Sequence, residues 1–326
     1  MDHREIDNFR SRLADRREKL VTAISASETT ERYQALLQQV DDALAKMDNG
    51  TFGVCESCHG EVEVERLIVD PLVTFCLDCL TEFQQRELEQ DLELASTIQS
   101  TLLPENDFQR DGWSIAYHYQ PAGPVSGDYC DLIPVNDDSD DLLFFIGDVS
   151  GKGIAASMLM SQLHAIFHSL TALNISLGEL LERANRLVCE STLSTHFVTL
   201  VCGRLFDTGK IQLSNAGHCP PILLQGDKSI EIDSTGLPIG LFCNGGYQVQ
   251  ELELKPGDSL VLYTDGLSET FDGQGEYGAD RIVGVAASNR GLHPKDLIQA
   301  HLVDLRAFDH GAPRLDDLSI MAIRRS

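Results

Sequence analysis

Leu142-Leu143-Phe144-Phe145-Ile146-Gly147-Asp148-Val149-Ser150-Gly151-Lys152-Gly153 sets an aspartate at the end of an apolar run and follows it with a glycine-rich turn. The run has the length and the aromatic content of a core strand. Aspartate has poor strand propensity, and burying it without a cation or a donor is costly. Asp148 therefore marks the rim of a sheet rather than its middle. Tyr263-Thr264-Asp265-Gly266-Leu267 repeats the pattern after the apolar run Ser259–Tyr263, and Asp316-Asp317 precedes Leu318-Ser319-Ile320-Met321-Ala322-Ile323. Ser126-Gly127-Asp128-Tyr129 completes the set. One Asp beside Gly is an ordinary turn. Carboxylates recurring at the edges of core strands point instead to a shared site for a hard cation, since oxygen ligands select magnesium or manganese over zinc.

The loop from Gly147 to Gly153 is not a phosphate-binding loop. That motif needs four residues between its first glycine and Gly-Lys, followed by Ser or Thr. Here three intervene, and Gly153 follows Lys152. Asn215-Ala216-Gly217-His218 places a histidine in a turn after an apolar strand, open to a structural or a catalytic reading. Cys130, Cys189, Cys202, Cys219 and Cys243 follow no spacing and read as small packing residues. Short β-rich runs alternate with Gly/Asp turns from Trp113 onward, and amphipathic helices stand out at residues 155–170 and 177–190. This half is α+β, with strands outnumbering helices.

Ahead of it the texture differs. Residues 2–47 read as two helices, with Ile6, Phe9, Leu13, Leu20 and Ile24, then Leu36, Leu37, Val40, Leu44 and Met47, spaced three or four apart. The polar stretch beginning at Ser25 supplies the turn of a helical hairpin. Cys55-x-x-Cys58 and Cys76-x-x-Cys79 follow. Each pair sets two thiolates on a tight knuckle, and two knuckles make a tetrahedral four-sulfur site for one structural zinc. A Glu/Gln-rich helix over residues 81–103, ended by Pro104, carries Leu88, Leu92, Ala95 and Leu102 at near-heptad spacing broken by Gln99, as in a short coiled coil. From this seam we expect a homodimer. The chain thus divides into residues 1–80, a hairpin plus four-cysteine finger; 81–104, a linker helix; and 105–326, the α+β unit.

The chain has 326 residues, 42% of them hydrophobic, enough to bury a real core. Its 25 basic against 51 acidic residues leave a formal charge of -26, which repels a phosphate backbone and argues against direct nucleic-acid binding. No apolar run approaches the ~20 residues of a membrane helix, and the start lacks the pattern of a signal peptide. Nine cysteines without that signal favour reduced thiols and the cytoplasm.

Two resemblances follow from these motifs. Gly50-Thr51-Phe52-Gly53-Val54-Cys55-Glu56-Ser57-Cys58-His59-Gly60, with Arg66-Leu67, Pro71 and Phe75-Cys76-Leu77-Asp78-Cys79, resembles the DksA/TraR-type zinc finger. That family carries a helical hairpin before the finger and binds RNA polymerase. Ile98 to Pro104, Val125 to Tyr129, the Gly147 to Gly153 loop with Ala155-Ala156, Phe197-Val198-Thr199, Asn215 to His218, Leu237 to Gly240, Pro256 to Asp258, Tyr263 to Leu267 and Asp316-Asp317 occur in the order of the RsbU/SpoIIE-type branch of the metal-dependent (type 2C, PPM) serine/threonine phosphatases. The second resemblance implies an α-β-β-α sandwich with two Mn or Mg ions at one edge. By motif, Asp148 would bridge both ions, Asp265 and Asp316 would complete one site, and the Val149 carbonyl would sit on the other, with Asp128 beside it directly or through water. His218 is a candidate to protonate the leaving oxygen, and Lys152 and Arg281 are candidates to clamp the phosphate. The implied substrate is a phosphorylated protein, a STAS-type anti-sigma-factor antagonist. The rival reading is a DksA-like RNA polymerase-binding regulator whose phosphatase-like unit docks passively.

Overall fold

The computed structural model describes residues 9–10, 12–14, 16–21, 31–80, 82–110, 112–136, 139–191, 196–310 and 314–326. The chain divides into two compact units, Met1–Leu92 and Glu93–Ser326.

Unbroken apolar strands organise the larger unit. β4 (Ser139–Val149) pairs antiparallel with β3 (Tyr129–Asn136) and β5 (Val198–Leu205), and β6 (Lys210–Ala216) and β9 (Gln250–Glu253) complete a five-stranded sheet. Successive side chains of a strand point to opposite faces. Leu142, Phe144 and Ile146 therefore enter the core between two sheets, while Leu143 and Phe145 enter a second core under the helices Gly153–Thr171 and Leu177–Ser191. A strand buried on both faces must be apolar throughout, which is why the 142–146 run does not alternate. At Gly203 on β5 a Cβ would stand 2.2 Å from the Phe144 ring, so only glycine lets that ring lie flat on its neighbour strand.

The second sheet has the order β1 (Phe108–Arg110), β2 (Trp113–Gln120), β11 (Leu318–Arg325), β10 (Ser259–Tyr263), β7 (Ile222–Gln225), β8 (Lys228–Glu231), with every pairing antiparallel. Met321 and Ile323 face the inter-sheet core, while Ile320 and Ala322 face a third core under the helices Ala279–Ser288 and Pro294–Asp309. The result is the expected α-β-β-α sandwich. The last two helices were not singled out from the sequence, although Leu297, Ile298, Leu302 and Leu305 line one face at helical spacing.

Two further sequence expectations need correction. Cys189 and Cys243, read as isolated packing residues, are joined in a disulfide between the Leu177–Ser191 helix and the 241–249 loop, across 54 residues that periodicity alone does not connect. Gln99, read as a break in the helical seam, is 5% exposed and turned into the larger unit, and Leu102 packs against the core beneath the helices. At its C-terminal end, the apolar stripe is therefore partly used up within its own fold.

In the smaller unit the Glu31–Asp48 helix packs Val40, Ala43 and Met47 against Phe9, Leu13 and Leu20 of helical residues before it. The turn expected from Ser25 onward falls on residues 22–30, outside the described residues. Gly50 and Gly53 carry φ of 69° and 77°, stopping the helix and opening the first knuckle. A short helix (Val64–Val69) and a 3-10 turn (Leu77–Cys79) follow, and Leu67, Val62, Cys55 and Cys76 close the small core.

Candidate metal centre at the sheet edge

Each sheet delivers two of the predicted carboxylates to one edge of the sandwich. Asp148 is the penultimate residue of β4, and Asp128 immediately precedes β3. On the other sheet, Asp265 opens a short helix (Asp265–Ser268) two residues after β10, and Asp316 lies two residues before β11. A Cβ at Gly266 would stand 1.9 Å from the Asp317 carbonyl oxygen, so a glycine there is what lets the 265 turn close onto the 316–317 segment. Val149 is buried at the end of β4, and Gly127 packs directly on it, with the position of a missing Cβ only 3.3 Å from the Val149 carbonyl oxygen.

The electrostatics show how much negative charge converges. Burial, then the carboxylates of Asp265, Asp316 and Asp317, push Asp148 up to about 8. Burial and Asp316 likewise raise Asp265. Asp128 is almost fully buried and is driven well above the carboxylate range by burial first, with the Ser319 hydroxyl opposing. The Thr264 and Ser319 hydroxyls donate to Asp128 Oδ2 at 3.0 and 2.6 Å, while Oδ1 is buried with no partner. An orphaned carboxylate oxygen beside a group of mutually repelling carboxylates fits a divalent cation, and an all-oxygen donor set fits Mg or Mn. The aspartates are more loosely gathered than the two sets in the described residues whose ligand atoms all lie within 4.8 Å, namely the four cysteines and Asp131 with His164 and His168.

Asp317 is a structural member that motif reasoning did not separate from Asp316. Its oxygens accept from the Ala122 and Gly127 amides at 2.7 and 2.8 Å, pinning the 121–128 loop to the opposite sheet. Thr264 and Ser319 were also missed. Their only sequence signal is a hydroxyl residue adjacent to or two removed from a motif aspartate. Lys152 Nζ lies 2.8 Å from Asp316 Oδ2 and donates to the Leu315 carbonyl, and the Asp316 contact raises its pKa. Arg281 instead pairs with Asp304 at 2.6 Å on the outer helices. Arg314, overlooked in the sequence, lines a cavity of about 370 Å³ beside Asp316 together with Phe271 and Leu315, held by Asp309 at 3.2 Å. His218 is buried, its Nδ1 2.9 Å from the Thr199 hydroxyl, and burial pulls it down to about 4. It is neutral near pH 7 and holds Thr199, the residue paired with Asp148 across β4 and β5.

In the smaller unit the four sulfurs of Cys55, Cys58, Cys76 and Cys79 lie within 4.8 Å of one another, Cys58 and Cys76 at 3.6 Å. Tetrahedral zinc with Zn–S of about 2.3 Å separates sulfurs by about 3.8 Å, so the set fits the ion. The backbone amides of Cys58 and Cys76 pull the Cys55 thiol down, readying one thiolate. No helix among the described residues is long and apolar enough to cross a membrane.

Two facing antiparallel sheets, outer helices and edge carboxylates define the type 2C phosphatase fold, and the SiaA-PP2C domain of Pseudomonas aeruginosa superposes with a TM-score of 0.63 at 18% identity, covering 74% of this chain and 99% of that one. Residues 138–326 match the family model for stage II sporulation protein E (SpoIIE), and the chain belongs to that family. Residues 50–85 match the prokaryotic dksA/traR C4-type zinc finger. Phosphoserine phosphatase RsbU of Bacillus subtilis (strain 168) is 29% identical over 188 residues, 57% of this chain and 55% of RsbU. RNA polymerase-binding transcription factor DksA of Escherichia coli (strain K12) is 35% identical over 57 residues, 18% of this chain and 38% of DksA. The chain thus spans about half the length of the first curated relatives it matches.

Proposed function

We propose that the chain is a metal-dependent protein serine/threonine phosphatase built from a hairpin and zinc finger (1–80), a linker helix (81–104) and a phosphatase domain (105–326). The observation that carries this reading is the convergence of Asp128, Asp148, Asp265 and Asp316 from two sheets onto one edge, with Asp128 Oδ1 left unpartnered. Asp148, Asp265, Asp316, the Val149 carbonyl and Asp128 are the oxygens that would hold two Mn or Mg ions. Such ions, when bound, lower the pKa of water and offset negative charge on a phosphoryl group.

The chain's own residues supply position. Thr264 and Ser319 fix the rotamer of Asp128, and Asp317 anchors the loop that carries it. Lys152, tethered beside Asp316, adds positive charge at the rim for a phosphoryl oxygen. In-line displacement needs little covalent help from protein, so no cysteine or serine nucleophile is required. Burial keeps His218 neutral near pH 7 and so a very weak acid, and solvent is the proposed proton donor to the leaving oxygen.

The substrate proposed, on the RsbU/SpoIIE-type resemblance of the motifs, is a phosphorylated STAS-domain protein; the RsbU relative is a phosphoserine phosphatase, and the finger would hold one structural zinc. A homodimer through the linker helix rests on the near-heptad seam, of which Leu88, Leu92 and Ala95 are half-buried, and is supported by Leu94 and Ile98 on the same helix, 59% and 54% exposed. The rival reading, a polymerase-binding regulator with a passive docking unit, gives no reason to crowd carboxylates at one sheet edge. Release of phosphate from phosphoserine STAS proteins encoded near the gene, assayed with and without Mn, tests the proposal; no Mn-dependent release from them or from a generic phosphomonoester would sink it.

A further inference from the structure

A third set of metal-ligating side chains lies away from the sheet edge, on the outer face of the five-stranded sheet. Asp131 sits on β3, and alternation along the strand turns it, with Tyr129, toward the Gly153–Thr171 helix, opposite to the inter-sheet face of Cys130 and Leu132. His164 and His168 stand four residues apart on that helix, one turn above each other on the same face. Their rings lie 4.0 Å apart. His168 Nε2 is 2.9 Å and His164 Nδ1 3.1 Å from Asp131 Oδ2.

Direct hydrogen bonding does not account for the whole arrangement. His168 Nε2 is within hydrogen-bonding geometry of the carboxylate, but His164 Nδ1 is buried and forms no hydrogen bond despite its 3.1 Å approach. It is aimed at the group without being aligned to it. Ligand atoms about 2.0–2.1 Å from a tetrahedral zinc are separated by about 3.3–3.4 Å. The two observed separations need to open by only a few tenths of an ångström to admit an ion. Asp131 is held for such a role, because the Tyr129 hydroxyl donates to Oδ2 and the Leu132 amide to Oδ1, both at 2.8 Å. Anchoring of a ligating carboxylate by outer partners is a regular feature of metal sites. The side chain of His168 is 44% exposed, which leaves access for the ion and for water in a fourth position. Two imidazoles and one carboxylate suit zinc rather than magnesium or manganese.

We propose that Asp131, His164 and His168 form a second zinc site, a clamp between the Gly153–Thr171 helix and β3. Its placement gives it reach, since the helix begins at the end of the Asp148 loop and Asp131 lies three residues beyond Asp128. An ion there fixes the helix to the strand that leads out of the proposed catalytic edge.

The test uses the full chain with zinc already on its four cysteines and excess Mg present to occupy the aspartates. Zinc chloride is then titrated calorimetrically, and thermal unfolding is followed in parallel. Wild-type protein is expected to take up one further equivalent of zinc and to melt higher in its presence. His168→Ala, at a half-exposed position the fold tolerates, weakens that uptake by about tenfold or more and abolishes the rise in melting temperature. His164→Gln does the same independently. No further uptake by the wild type overturns the clamp. So do equal affinities in wild type and both variants.

Discussion

Gln99 and Ser126 are joined through both ends of one side-chain amide: Gln99 Nε2 donates to the Ser126 carbonyl at 2.7 Å, and the Ser126 amide donates to Gln99 Oε1 at 2.9 Å. The linker helix is thereby hydrogen-bonded to the loop that ends at Asp128. Gln99→Ala leaves a buried N–H and C=O without partners, a loss of about 1–3 kcal/mol. The expected outcome is a several-fold rise in the Mn concentration needed for half-maximal phosphatase activity, beyond any fall in melting temperature. A variant that loses stability alone, with unchanged Mn dependence, would show that Gln99 does not position the loop.

Asp148→Asn should abolish Mn-dependent turnover. It should also raise the stability of protein freed of Mn and Mg. In that form the native pKa is raised to about 8 from an ordinary 3.8. The native state then holds a proton that the unfolded state releases, so stability is full below about pH 4 and declines as pH rises to about 8. Melting temperatures across that range should fall for the wild type and stay flatter for the variant.

His301 presents the opposite sign. It is wholly buried on the Pro294–Asp309 helix with both ring nitrogens unpartnered, and burial pulls it from 6.5 down to about 4. The unfolded state binds the extra proton in that interval. Stability is therefore complete above about pH 6.5 and is lost on acidification toward pH 4, by roughly 3 kcal/mol. His301→Leu should remove this loss, and denaturant melts at pH 7 and pH 4.5 would reveal it as a narrowed difference.

Cys76→Ser removes one sulfur from a set that fits tetrahedral zinc. We expect the variant to lose the thiolate-held zinc equivalent and residues 50–85 to become protease-sensitive, because ion binding supplies much of the folding energy of so small a core. Elemental analysis and limited proteolysis check this together; a resistant, zinc-free finger would contradict it.

Among the described residues, Leu94 and Ile98 are the large apolar side chains exposed on the linker helix. If copies of the chain pair there, Leu94→Asp with Ile98→Asp should sediment as a monomer under conditions where the wild type is a dimer. Identical sedimentation of the two would remove this helix from any dimer interface.

What could be read from the sequence followed its periodicity. The 142–146 run, the Asp148, Asp265 and Asp316 turns and the paired CxxC knuckles carry their meaning in local spacing, and each lies where that spacing implied. Contacts made by tertiary approach left no such mark. Thr264 and Ser319 reach Asp128 across 136 and 191 residues, and Cys189 meets Cys243 through a loop with no regular pattern. Asp131 finds its histidines only because alternation on β3 and the turn of a helix put them face to face. The Pro294–Asp309 helix was obscured for another reason: the polar residues His301 and Asp309 fall on its buried face and interrupt the apolar stripe.

The two-and-two division of aspartates between the sheets makes the catalytic edge a gauge of sliding between the layers. Asp128 and Asp148 travel with one sheet, Asp265 and Asp316 with the other, and the inter-sheet core joining them is almost wholly apolar. Apolar packing resists separation strongly but has no directional bonds to set a sideways register. A divalent ion held by oxygens from both layers would act as a rivet through the pair, and the Thr264 and Ser319 hydroxyls on Asp128 and the amides on Asp317 pin the layers at the same edge. Shear along the strand direction would change the spacing of the ligand pairs together with these hydrogen bonds, which gives any force applied to one layer's outer helices a short mechanical route to the proposed reaction centre.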